Sequence, residues 1–431
     1  MNSMKKYLFV AIALWVLTGM LAFGAGSQEK AGKSWQSEKL AMKVEALGWI
    51  LQKHNLEEFA KKFMSDHPNI TVEVTSNPDV QLNNYMLNWS TGDINVDLAF
   101  GGPAARVGKL AFKELLEPWN DFYTGDLDRK NLLTHVVELP KRGNEYYAFP
   151  FMAEGMSLQA NKKLMIEAGL GSAGAVQNPK TLEDLYTFAK KMTKGTAEVK
   201  DVYGFSWNFS NFEDQQLFCA VNSLGGKSYN ADGTPNLTDP KIVDIFTFVK
   251  RVTMDGYGTK GTITDTNAGR NGYMARTVAM IFEAASRAIE AKPKIGDEAI
   301  VLPFPGMDDR GSFIYSHYCY IPKGTKVKDV VWAFMREQIT GKEFAKFGAE
   351  KFGKLPTLKR NYEGLGADFT EITKWMSNPN AIGDLPWVEG SKLLALIDEI
   401  EQSLVTSDLT PAAAATKLAQ EGAKLNLSVV K

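Results

Sequence analysis

The 431 residues are 44% hydrophobic and 23% charged, with 49 Lys+Arg against 50 Asp+Glu. That apolar fraction excludes a disordered chain, and the ordinary Gly, Pro and Cys counts exclude fibrous and disulfide-rich classes. A net charge of −1 without any basic run argues against nucleic-acid binding, and a chain this long normally folds as more than one domain.

Lys5 and Lys6 precede an uncharged, largely apolar stretch, followed by Ala22, Gly24, Ala25 and Gly26 and then polar Ser27-Gln28-Glu29-Lys30. Basic, apolar and small-residue regions in that order read as a secretory signal peptide over residues 1–26, cleaved after Gly24 or Gly26. An uncleaved membrane anchor is the alternative. The first cysteine is Cys219, so an N-terminal lipidated cysteine is not expected, and no second apolar stretch is long enough to span a bilayer. Residues 27–39 read as a flexible leader. Cys219 and Cys319 are too few for a disulfide framework and read as two separate buried thiols.

From there the pattern becomes regular. Met42 to Ile50 predicts a strand, and Asn55 to Asp66 an amphipathic helix with Glu57–Lys61 and Glu58–Lys62 at i,i+4. Ile70 to Val74 alternates as a half-buried strand, Val80 to Trp89 predicts a helix, and Val96 to Phe100 a further strand. Gly101-Gly102-Pro103 then opens a helix ending near Leu116. Strands alternating with helices of this length indicate βαβ units and an α/β fold. Helices are further predicted at 162–168, 181–193, 212–224, 241–254, 329–339, 391–404 and 410–423, and strands at 146–152, 203–207, 278–282, 299–302 and 313–321. Phe149-Pro150-Phe151 and Leu302-Pro303-Phe304-Pro305 are candidate crossings between lobes, because Pro and the residue before it favour extended backbone.

Catalytic and cofactor motifs fail on context. Gly256-Tyr257-Gly258-Thr259-Lys260-Gly261 matches G-x-G-x-x-G, but a helix precedes it and a Thr-rich loop follows. Asn230-Ala231-Asp232-Gly233 reads as a turn rather than a calcium loop. The four histidines are too scattered for a metal site or a triad, and no cofactor is expected. The informative residues are aromatic. Trp49, Trp207 and Trp387 fall where strands or segments end, and ligands of open α/β sheets bind beyond the carboxyl ends of strands. Flat rings there stack on the apolar face of a sugar; the alternative is that each tryptophan fills the core.

Several passages, each weak alone, occur in a telling order. They include Phe59-Ala60-Lys61-Lys62-Phe63, Thr91-Gly92-Asp93, Val96 to Gly101, Tyr146 to Phe151 and Asn161-Lys162-Lys163-Leu164. Pro179-Lys180-Thr181-Leu182, Ala279-Met280-Ile281, Ile321-Pro322-Lys323-Gly324 and Leu355-Pro356-Thr357 follow. Together they resemble the extracellular solute-binding proteins of ABC importers, in the family that includes maltose-binding protein. The resemblance implies a two-lobed periplasmic-binding-protein fold, each lobe a mostly parallel sheet flanked by helices, with the ligand cleft between them. Lobe 1 would hold residues 40–150 and 305–345, and lobe 2 residues 151–304 and 346–431. It implies a non-enzymatic, monomeric periplasmic protein that binds a carbohydrate and delivers it to a membrane permease. Candidate ligand contacts are Trp49, Gln52, His54, Gly101, Gly102, Glu154, Trp207, Asn208, Glu283, Arg287, His317, Tyr318 and Trp387. Two departures matter: Ala160 stands where the family commonly has Tyr, and Glu283 to Arg287 where it often has Gly and Trp. A stacking aromatic is thereby replaced by charged groups, so a charged ligand (a polyamine, glycerol phosphate or a metal) stays open, with a secreted carbohydrate-active enzyme as the rival from another class.

Overall fold

The computed structural model describes residues 35–76, 82–210, 213–366 and 369–430. The expected signal peptide, the leader up to residue 34 and Val80 lie outside the described residues. Among the described residues no helix is long and apolar enough to cross a membrane.

Eight strands matter for the site: β1 Leu40–Ala46, β2 Ile70–Ser76, β3 Leu98–Phe100, β4 Phe149–Asn161, β5 Met280–Ala284, β6 Ala299–Leu302, β7 Phe313–Tyr320 and β8 Ile382–Gly383. They form one mixed sheet in the order β6-β4-β7-β3-β1-β2, with β5 also on β4 and β8 on β7. β1 runs parallel to β2 and β3, whereas β7 is antiparallel to both β3 and β4, and β5 and β6 are antiparallel to β4. β1 buries Met42, Val44 and Ala46 and exposes alternate residues, as its period-2 pattern requires. β4 is buried along its whole length, the signature of a central strand covered on both faces.

The two largest apolar cores mark the two lobes. The first gathers Met42, Ile50, Phe63, Phe100, Trp119 and Phe334. The second gathers Phe205, Trp207, Phe246, Trp375 and Leu404. β4 gives Phe149, Phe151 and Met152 to the first core and Ala153, Met156 and Leu158 to the second. β7 does the reverse, with Phe313 to Tyr315 in the second core and Cys319 in the first. β4 and β7 are thus two of the passages between lobes; the chain also changes core further on, with Phe344 in the first, Ala349 and Leu355 in the second and Leu358 back in the first. The candidate crossing at Leu302-Pro303-Phe304-Pro305 changes no core, since Leu302 and Phe304 both lie in the second.

The helices that bear on the site are α1 Gly48–His54, α2 Leu56–Asp66, α3 Ala104–Phe112, α4 Ala268–Ala275, α5 Ser286–Ile295 and α6 Lys342–Phe352. β1 stops at Ala46, so the expected strand over 42–50 is too long and Trp49 sits in the first turn of α1. A short apolar run does not by itself distinguish strand from helix. Asn55, at φ 51°, turns α1 into α2. The expected i,i+4 pairs on α2 are replaced: Lys61 bonds Glu58 and Lys62 bonds Glu343. Helices α4, α5 and α6 were not anticipated; Gly269 and Gly272 in α4 and Pro293 inside α5 hide their periodicity. Cys219 and Cys319 are both buried and free.

Candidate functional site

β1 and β3 point their carboxyl ends at one place, where their loops meet β4, β7 and the start of α5. A cavity of about 440 Å³ lies there, lined by Leu47, Trp49, Lys53, Gly102, Pro103 and Arg106 from the first lobe's loops and helices. Glu154, Arg270, Arg287, Tyr315, His317 and Lys354 line the opposite side. A larger open groove of about 730 Å³ runs among Glu114, Glu117, Arg142 and Lys323, but all of its lining lies between residues 114 and 147 or at Lys323, away from these strand ends.

Buried charge sets this cleft apart. Glu154 on β4 and Lys354 are each almost wholly buried and bonded at 2.6 Å, with Ser286 Oγ donating to the other Glu154 oxygen at 2.6 Å. Lys354 Nζ also donates to Ser286 Oγ at 3.2 Å, closing the triangle. Behind it, Glu283 on β5 accepts from Arg270 Nε at 2.5 Å and lies 3.4 Å from Arg287 Nε. Glu290 accepts from Arg287 at 2.5 Å and also from Lys53, which reaches over from α1.

Burial alone would raise the Glu154 carboxyl, but the Lys354 and Arg287 charges and the bonds from Lys354 and Ser286 hold it down at about 2. Burial lowers the Lys354 ammonium to about 8; Glu154 and Glu290 oppose the fall, while Arg287 and Lys53 add to it. The two shifts look contradictory as a report on one ion pair, because an isolated pair lowers its acid and raises its base. Burial reconciles them, since it is the largest cause of the lysine's fall, and the Arg287 charge adds to both shifts.

His317 faces the cleft at a register slip between β7 and β4, where His317 lies opposite Met152 and Tyr318 opposite Pro150. Its ring meets Trp49 edge-on at 4.8 Å. Burial, partly opposed by Glu154 and reinforced by Lys354 and Arg106, lowers it to about 4, so it is neutral at physiological pH. Gly102 has φ +93°, and a Cβ there would lie 2.4 Å from Arg106 Cδ, so only glycine lets that side chain cross the loop.

Of the residues singled out from sequence, Trp49, Gly102, Glu154, Arg287 and His317 meet at this cleft, with Glu283 just behind. The others do not. Gln52 is exposed and lies outside the lining. His54 is buried, stacked on Phe344 at 5.1 Å and edge-on to Phe151, with neither ring nitrogen hydrogen-bonded. Gly101 shapes the loop, where a Cβ would stand 2.7 Å from Leu47 Cγ. Trp207 is a core residue whose indole donates to buried Glu401 at 2.7 Å, and Asn208 beside it is buried as well. Tyr318 is fully buried and donates to the Val136 carbonyl at 2.8 Å, while Trp387 donates to the Gly233 carbonyl and packs on Phe218 and Tyr229. For these aromatics the core-filling alternative holds, because the segments they end do not open on the cleft. Sequence reasoning missed Lys53, Arg106, Arg270, Tyr315 and Lys354. Lys354 directly precedes the Leu355-Pro356-Thr357 passage and carried no other signal; Arg270 lies in the unanticipated α4.

Comparison with known proteins bears on the same architecture. The GacH receptor of Streptomyces glaucescens, solved unliganded and with acarbose, superposes with a TM-score of 0.73 at 19% identity, covering 90% of this chain and 98% of that one. Maltose-bound T. maritima MalE3 gives 0.72 at 18% identity, covering 89% and 98%. At such identities these likenesses concern the fold. A maltotriose-binding protein of Pyrococcus abyssi is 25% identical over 260 residues, 58% of this chain and 52% of that protein, so the match spans about half the length of that relative. Residues 52–340 match the model of a family described as bacterial extracellular solute-binding protein, a span that includes β2 to β7 and all the charged cleft residues except Lys354. The chain belongs to the bacterial extracellular solute-binding protein family.

Proposed function

We propose that this chain is the substrate-binding component of an ABC importer, which takes up a carbohydrate between its lobes and hands it to a membrane permease without altering it. The observation that carries this reading is the cleft at the carboxyl ends of β1 and β3, where Trp49 stands beside hydrogen-bonding groups from both lobes. Relatives named for maltotriose, acarbose and maltose binding support a carbohydrate cargo. On this reading Trp49, Gly102, Glu154, Arg287 and His317 contact ligand, residues 1–26 are a signal peptide removed on export, and the mature protein works as a periplasmic monomer. A ligand touching both lobes stabilises the closed arrangement by its differential affinity for it, which is what a permease would recognise.

A thermal-shift screen of the mature chain against mono- and oligosaccharides tests this. A ligand at about 100 times its Kd adds about 2.7 kcal/mol, enough to move Tm by degrees. The expected outcome is a sugar hit that Trp49→Ala abolishes, with the same oligosaccharide recovered intact after prolonged incubation. Turnover would put the protein among carbohydrate-active enzymes, and the absence of any carbohydrate hit would overturn the reading.

A further inference from the structure

The charges in the cleft are unequally placed. Five cations line the cavity (Lys53, Arg106, Arg270, Arg287 and Lys354) against one lining carboxylate, Glu154, while Glu283 and Glu290 stand behind the wall. Deepening the import reading, on which it rests, we propose that the cargo is an acidic carbohydrate, whose carboxylate or phosphate oxyanion is received by the Arg106, Arg270, Arg287 and Lys354 side chains.

Three observations lead there. First, two of the three lining arginines, Arg270 and Arg287, are fixed in place. Glu283 anchors Arg270 and Arg287, Glu290 anchors Arg287 a second time, and the side chains of both arginines are no more than 16% exposed. A guanidinium has five N–H donors, and its planar fork matches carboxylate and phosphate oxygens. Second, beside that geometry, Arg287 lowers both Glu154 and Lys354 and Lys53 lowers Lys354 further, with burial the largest cause of the lysine's fall. Third, the cleft is poor in sugar platforms. Trp49 and Tyr315 are its aromatic lining apart from His317; Tyr315 is 5% exposed and one side of Trp49 is occupied by Lys354 Nζ, 5.6 Å from the ring. A polyamine or a metal cation would meet five like charges, so of the charged ligands left open by the sequence only an anion fits.

The test is titration calorimetry on the mature protein with matched pairs that differ only in charge: glucose with glucuronate, galactose with galacturonate, and the corresponding disaccharides. Glucose 6-phosphate and glycerol 3-phosphate form a second arm, and citrate and inorganic phosphate a third. The expected result is binding of the acidic member of a pair at least about tenfold tighter than its neutral partner, weakening as salt is raised. Arg106→Gln should lose about ten- to hundredfold for the acidic ligand while changing the affinity for its neutral partner much less. Preference for the phosphate arm over the uronates identifies the oxyanion as phosphoryl and also supports the proposal. Neutral sugars bound as tightly as their acids would overturn it and leave carbohydrate import standing. Binding of citrate or inorganic phosphate but no sugar would overturn the carbohydrate reading, and with it this proposal's sugar. No binding in any arm overturns both.

Discussion

Glu154 and Lys354 form the most deeply buried ion pair of the cleft, and their energetics follow from their isolation from water. Removing one partner of such a pair leaves the other charged and uncompensated, at a cost of about 3–5 kcal/mol. Glu154→Gln should therefore lower the unfolding free energy by about that much in urea titrations. The double variant Glu154→Gln/Lys354→Met should recover most of the loss, because no lone ammonium remains. Strictly additive losses would show that the pair does not act as one unit. His54 makes a different prediction. Its ring is 2% exposed and its pKa is lowered to about 3, first by burial and then by Lys354, His317 and Lys53, with Glu154 opposing. The unfolded chain takes up the proton near pH 6.5 and the folded one does not, so νU exceeds νN and stability falls as pH drops from 6.5 towards 3. His317, held at about 4, adds a second proton over the upper part of that window. His54→Leu should flatten the stability profile between pH 6 and 4 by one proton, about 1.4 kcal/mol per pH unit. An unchanged slope in urea midpoints across that range would refute the neutral buried imidazole.

At the scale of elements, the site depends on how a helix ends. α6 terminates at Gly353, whose φ of +66° and amide bond to Ala349 form a left-handed cap, and the turn delivers Lys354 to Glu154. A Cβ at Gly353 would stand 2.6 Å from the Ser286 Cα, against backbone that cannot swing aside. Gly353→Ala should thus combine left-handed strain with overpacking and cost about 2–4 kcal/mol, weakening ligand binding as the Ser286–Lys354–Glu154 triangle shifts. Gly364→Ala serves as the control: φ is +85° there but nothing lies within 4 Å, so only the strain of about 1–2 kcal/mol remains. Equal losses in the two variants would mean that the contact with Ser286 is unimportant. The same elements explain what was legible in the sequence. β2, β3, α2 and the helix before β3 were readable because their periods are clean and their turns are marked by Asn, Gly and Pro, whereas α1 was absorbed into the expected first strand. β4 was read only as far as Met152. Its remaining residues through Asn161 are buried on both faces and mix Glu154, Ser157 and Gln159 among apolar ones, which no alternation rule detects. Trp49 was legible as the end of an expected strand, and Glu154 and Arg287 by their place beside the passages that resemble the family, whereas Lys53, Arg106 and Lys354 meet only after the chain has folded.

At the scale of the whole molecule, two cores share one sheet through β4 and β7, and the cleft opens where those strands pass between them. One ion pair spans that opening away from the shared strands. Lys53 rides on α1, whose Ile50 belongs to the first core, and Glu290 on α5, whose Ile289 belongs to the second. Their side chains are 26% and 20% exposed, so the bond is neither fully screened nor deeply buried and contributes on the order of 1 kcal/mol to holding the lobes together. That energy is small against global stability but not against a balance between open and closed arrangements, where it changes the populations about fivefold. Lys53→Met should therefore leave the urea midpoint nearly unchanged, enlarge the radius of gyration of the ligand-free protein in small-angle scattering, and weaken ligand affinity by up to about fivefold. At saturating ligand the variant and the parent should reach the same compact radius, because the cargo supplies contacts to both lobes that replace the lost bond. Raised ionic strength should move the parent towards the variant when no ligand is present. If the two proteins scatter identically without ligand at low salt, the bond between α1 and α5 does not govern closure.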